Sequence, residues 1–142
     1  IAIYDNPPSG QVSSLITVGG TIAINPSTTS SSINATQTWS IDVIAPDSDD
    51  YRLSGNDRNG SVSGLDPTVT IVLGDTLNFN VDAPGHPFYL KTQSTTGTGN
   101  QVSGATNQGT ENGTVTWTPT ATGTYYYICS LHGGMVGTII VQ

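Results

Sequence analysis

Gly123-Thr124-Tyr125-Tyr126-Tyr127-Ile128-Cys129-Ser130-Leu131-His132-Gly133-Gly134-Met135 contains the chain's one cysteine, its one methionine and one of its two histidines. Its first half reads as a strand, because aromatic and β-branched side chains fit a pleated, half-buried surface. A period of two puts Tyr125, Tyr127 and Cys129 on one face and Tyr126 and Ile128 on the other. Cys129 therefore ends the strand pointing into a core beside the tyrosines. A loop opens at Ser130, and the permissive backbones of Gly133 and Gly134 are expected to let His132 and Met135 curl back toward the sulfur.

The second histidine, His86, lies upstream in Pro84-Gly85-His86-Pro87-Phe88-Tyr89. It falls between two expected strands, Leu77 to Val81 and Phe88 to Thr92, and reaches the same end of the molecule if the hairpins are laid out in order. Two imidazoles, a thiolate and a weak thioether are the donor set of a mononuclear copper site. Taken singly, Cys129 reads as an inert core cysteine and each histidine as an ordinary loop residue. Taken together, three uncommon residue types in two loop segments point to a metal. Zinc accepts one Cys and two His but gains little from a thioether, so Met135 favours copper. A Cys–His nucleophile fits the residue types as well, yet no third residue to orient the histidine is apparent.

The rest of the sequence sets the frame. At 142 residues the chain supports one main core. Only 9% of residues are charged, and short β-branched runs broken by Gly, Pro and Asn read as all-β. Strands are expected at Trp39 to Ile44, Val69 to Leu73, Leu77 to Val81, Phe88 to Thr92, Gly113 to Thr118, Gly123 to Ser130 and Gly137 to Val141, which favours a Greek-key β-sandwich. Val69 to Val81 alternates, skips Gly74-Asp75 and alternates again, as a hairpin does. Trp39 and Trp117 read as sheet-packing residues, and Gly97 to Gly109 as an exposed loop. Asp47, Asp49 and Asp50 form an acidic loop, solvated rather than Ca²⁺-binding. Asn59-Gly60-Ser61 and Asn112-Gly113-Thr114 match the glycosylation pattern, which matters only in a secreted eukaryotic protein.

Residues 1–37 differ from the remainder. Leu15 to Val18 and Thr21 to Ile24 flank Gly19-Gly20 as a hairpin would, and a Ser/Thr-rich linker follows. Such an arm is expected to pack on the main domain or to add a strand to a neighbouring copy, giving a homo-oligomer. The start at Ile1 suggests a processed product or a segment of something larger. A net charge of −7 argues against nucleic-acid binding, no apolar run is long enough to span a bilayer, and a lone cysteine cannot form an intrachain disulfide.

Gly74-Asp75-Thr76-Leu77, Gly85-His86-Pro87-Phe88, Trp117-Thr118-Pro119 and the stretch Gly123 to Gly137 together resemble the cupredoxins, the blue-copper family of plastocyanin and amicyanin, over residues 38–142. The Cys-x-x-His-x-x-Met spacing is similar to the short amicyanin loop. The resemblance implies one copper ion, with His86, Cys129 and His132 as strong ligands and Met135 as the axial one. It further implies one-electron transfer to a redox partner protein rather than catalysis. Gly123-Thr124-Tyr125 resembles a tyrosine corner. Pro87 departs from the pattern: an Asn commonly follows the first histidine and braces the two ligand loops, and proline has no N–H to donate. The low-charge, Thr/Gly/Asn-rich style is similar to cupredoxin-type modules of surface or virion proteins, so a structural subunit of a virion, filament or cell surface is the alternative expectation. The location expected is extracellular, periplasmic or surface-exposed.

Overall fold

The architecture is that of a computed structural model, and the residues it describes are 35–142. The expected arm, residues 1–37, lies almost wholly outside them. Nine strands follow in order: β1 (Thr38–Ile44), β2 (Arg52–Asp57), β3 (Gly60–Leu65), β4 (Val69–Ile71), β5 (Thr76–Asp82), β6 (Phe88–Lys91), β7 (Asn112–Trp117), β8 (Gly123–Cys129) and β9 (Val136–Val141). They form a five-stranded sheet ordered β3-β2-β1-β5-β7 and a four-stranded sheet ordered β4-β9-β8-β6. The described chain is thus the expected all-β sandwich, with connections that repeatedly cross between sheets. Parallel pairs, β1 with β5 and β4 with β9, occur among antiparallel ones.

Period-two alternation builds the core. Ile41 and Val43 of β1, Leu77, Phe79 and Val81 of β5, and Val115 and Trp117 of β7 turn inward from one sheet. Phe88 and Leu90 of β6, Tyr127 and Cys129 of β8, and Ile139 and Val141 of β9 meet them from the other, all within one buried cluster. Trp117 is buried and Trp39 packs against the same cluster, as expected of sheet-packing residues. Tyr125 packs edge-on against Trp117, with ring centroids 4.9 Å apart. Its hydroxyl donates to the Ala121 carbonyl at 3.0 Å, the return bond of a tyrosine corner.

Two local expectations are corrected. Val69 to Val81 is not a hairpin: β4 pairs parallel with β9 in the smaller sheet, whereas β5 lies between β1 and β7 in the larger one. Alternation tells which face a residue takes but not which sheet its strand joins. The second correction is an omission, the β2–β3 hairpin. Its strands run from Arg52↔Leu65 to Asp57↔Gly60 around the two-residue turn Arg58-Asn59.

Asp75 ties the end of the sandwich remote from the ligand loops. It is fully buried. It accepts bonds from the Gln37 N–H at 2.8 Å, the Trp39 indole at 2.9 Å, the Val72 N–H at 3.0 Å and the Arg58 guanidinium at 2.7 and 2.8 Å. Burial alone would raise its pKa; these donors outweigh it and hold the carboxyl well below the usual carboxylate range.

Candidate metal centre

The centre follows from β8 having β6 on one side and β9 on the other. Pairing Phe88 with Cys129 brings the start of β6, and the loop before it, beside the end of β8. Pairing Ile128 with Val136 closes the loop from Ser130 to Met135 over the same end. His86 is delivered by a tight turn: Pro84-Gly85 occupies the corner, Gly85 has φ 81°, and the His86 N–H donates to the Ala83 carbonyl at 3.0 Å. That pattern, proline first and positive-φ glycine second, is a type II turn.

The side chains converge. The Cys129 Sγ lies 3.5 Å from His132 Nδ1 and 4.0 Å from His86 Nδ1, and the ligand atoms of all three residues fall within 4.8 Å of one another. The two imidazole centroids are 4.9 Å apart. Cys129 and Met135 are fully buried, and both histidines are half-buried. Met135 is near the other three, and its carbonyl accepts the Cys129 N–H at 3.0 Å. An ion bonded to nitrogen at about 2.0–2.1 Å and to sulfur at about 2.3 Å spans nitrogen–sulfur separations of roughly 3.5 to 4.0 Å as the bond angle opens from about 105° to about 135°. The donor set therefore fits a single metal ion, and two imidazoles, a thiolate and a neighbouring thioether suit copper.

The loop backbones are braced. The Met135 N–H donates to the His132 carbonyl at 3.2 Å, and the Leu131 N–H points at the Cys129 Sγ at 3.5 Å. The loop curls back at Gly133 and Gly134 as expected, though without a positive φ at either. They are places of close approach instead: a Cβ on Gly133 would meet Thr96 at 3.4 Å and one on Gly134 the Asp49 carbonyl at 3.3 Å. Pro87 does join the two ligand loops, although in the opposite sense to an asparagine. Its carbonyl accepts the Ser130 N–H at 3.1 Å.

Two supports were missed in the sequence. Lys91 is fully buried, its ammonium donating to the carbonyls of Thr95, at 2.7 Å, and Gly97. Burial lowers its pKa. The Gly97 N–H in turn donates to the Ser130 carbonyl at 2.8 Å, so this cation organises a loop that leans on the ligand loop. Tyr51, at the end of the β1–β2 connection, is also fully buried, and its hydroxyl donates to the His86 carbonyl at 2.8 Å. Burial first, and then the Cys129 sulfur, pushes this phenol above its ordinary range, so it keeps its proton. The one available signal for Tyr51 was an aromatic residue interrupting an otherwise polar stretch. Asp47, Asp49 and Asp50 form no metal cluster with other residues among those described; Asp47 accepts the N–H groups of Asp49 and Asp50 as a solvated turn does.

Fold and cluster together define a class: a two-sheet β-sandwich with one buried thiol and two converging imidazoles at one end. Solved structures similar to it include rusticyanin from Thiobacillus ferrooxidans, a cupredoxin, at 22% identity over 76% of this chain and 79% of that one, with a TM-score of 0.48. A rusticyanin variant is 18% identical over 94% of this chain and 88% of that one, with a TM-score of 0.49. A variant of the multicopper oxidase McoA from Aquifex aeolicus matches at 16% identity over 75% of this chain and 26% of that one, with a TM-score of 0.38. No protein-family model and no curated sequence matches the chain. Among the described residues no helix is long and apolar enough to cross a membrane.

Proposed function

We propose that this chain is a copper-binding module for one-electron transfer, with His86, Cys129 and His132 as the strong ligands and Met135 as the weak axial one. The observation that carries it is the convergence of both Nδ1 atoms on a fully buried thiol. A copper ion held there would supply a centre that cycles between Cu(I) and Cu(II). The chain's own part is rigidity: ligands on two loops pinned to each other and to three paired strands change position little between oxidation states. Leu131, 63% exposed, and the half-buried His132 offer a partner a close approach.

The same geometry disfavours an enzyme built on Cys129, because a sulfur with no exposed surface cannot be reached by a substrate. Charge defines the partner. Of the chain's cations, Arg58 is paired with Asp75 and Lys91 is buried, leaving Arg52 exposed in a chain whose net charge is −7. A redox partner with a basic face fits it. An extracellular, periplasmic or surface setting belongs to this reading. The assembly role in a virion, filament or cell surface rested on the arm outside the described residues, and nothing among those described favours it.

Adding Cu(II) to the metal-free protein is expected to give an intense visible absorption that Cys129→Ser abolishes. A colourless wild-type protein whose melting temperature does not change would overturn the proposal.

A further inference from the structure

Tyr51 has no part in the ligand set, yet it is tied into the site through both its backbone and its hydroxyl. Its backbone is clamped from behind by Asp66: the Tyr51 N–H donates to the Asp66 carboxylate at 3.0 Å, and the Asp66 N–H donates to the Tyr51 carbonyl at 2.8 Å. This reciprocal pair closes the open end of the β2–β3 hairpin beside Arg52↔Leu65. The ring is wedged among aromatics, edge-on to Phe88 at 5.2 Å and tilted to Tyr127 at 6.5 Å. Its hydroxyl ends on the His86 carbonyl, one bond from the residue that must turn its Nδ1 to Cys129.

We propose that Tyr51 is a positioning residue for the metal centre: through its hydroxyl, the β2–β3 hairpin fixes the backbone of His86 and so sets the direction of that imidazole. His86 stands in a turn between sheets, held by its own N–H to Ala83 and, through Pro87, by Ser130. Its carbonyl meets the hydroxyl of a fully buried side chain, where an unmet acceptor is costly. The phenol both satisfies that acceptor and fixes its position. A partner one shell behind a ligand commonly changes metal affinity about 10–100-fold when removed.

The test compares two conservative variants. Tyr51→Phe removes the bond to His86; Tyr127→Phe removes an equally buried phenol bond, from Tyr127 to the Pro67 carbonyl, that involves none of the four proposed ligands. In the metal-free protein, amide exchange at His86 is expected to be at least about tenfold faster in Tyr51→Phe than in Tyr127→Phe, with both variants folded. In the copper-loaded protein, Tyr51→Phe is expected to bind Cu(II) about tenfold more weakly and to shift the visible thiolate band, while Tyr127→Phe keeps the wild-type spectrum. Equal exchange at His86 in the two variants overturns the proposal. The copper measurements rest on the function proposed above, whereas the exchange measurement does not. A wild-type protein that takes up no copper therefore defeats that function and leaves the clamp to be decided by exchange alone.

Discussion

Burial pushes the Asp66 carboxyl up to about 6, although the N–H groups of Tyr51 and Val136 bond to it and pull the other way. A carboxyl with a folded pKa above its unfolded value binds more protons when folded, so its contribution to stability falls as pH rises from about 4 to about 6. Asp75 has the opposite sign: its pKa is depressed, and the stability it contributes is lost as pH falls below about 4. Asp66→Asn is expected to flatten the decline between pH 4 and pH 6 in melting temperature measured against pH; an unchanged slope would contradict the assignment. Asp75→Asn is expected to cost about 3 kcal/mol in denaturant unfolding near pH 7, because it removes the buried charge from the Asp75–Arg58 pair and leaves the Gln37, Trp39 and Val72 donors badly met. The cluster of proposed ligands was legible at this scale because Cys, His and Met are scarce here and each has a chemical reason to meet the others. Tyr51 and Lys91 were not, since they act through backbone carbonyls, and a carbonyl partner has no residue type to announce it.

Among the strands, Gly137 on β9 faces Tyr127 on β8 across the pair. A Cβ there would overlap the tyrosine ring, which is anchored at its far end on the Pro67 carbonyl and cannot swing away. Gly137→Ala is therefore expected to destabilise by about 2–3 kcal/mol, read as a lower denaturant midpoint with the slope unchanged. The strands legible in the sequence were those rich in β-branched and aromatic residues, β1 and β4 to β9, with ends within about two residues of those observed. The β2–β3 hairpin was missed because Arg52 to Asp57 and Gly60 to Leu65 bury little beyond Leu53 and Val62. The Asn59-Gly60 pair at its turn was the signal, and it was read as a glycosylation pattern. The mistaken Val69–Val81 hairpin has another cause: inward-facing residues alternate identically in either sheet of a sandwich.

For the whole molecule, the sandwich brings segments more than forty residues apart in sequence, His86 and Cys129 among them, to one end. That long-range closure makes metal uptake and folding one linked equilibrium. Free Cu(II) at about 100 times its dissociation constant is expected to stabilise the fold by up to about 2.7 kcal/mol, seen as a higher melting temperature that a chelator reverses. Association with a basic redox partner is expected to slow steeply as salt rises, since −7 net charge steers encounters only over a Debye length.

Lys91 is the chain's only lysine, and its amine is enclosed by the carbonyls of Thr95 and Gly97 with no exposed surface. Acylating reagents and lysine-directed cross-linkers therefore find no lysine target on the folded surface, and trypsin is denied that cleavage point. Labelling of this residue becomes a clock for the opening of the loop that leans on Ser130, counting excursions of the native state rather than mapping its exterior.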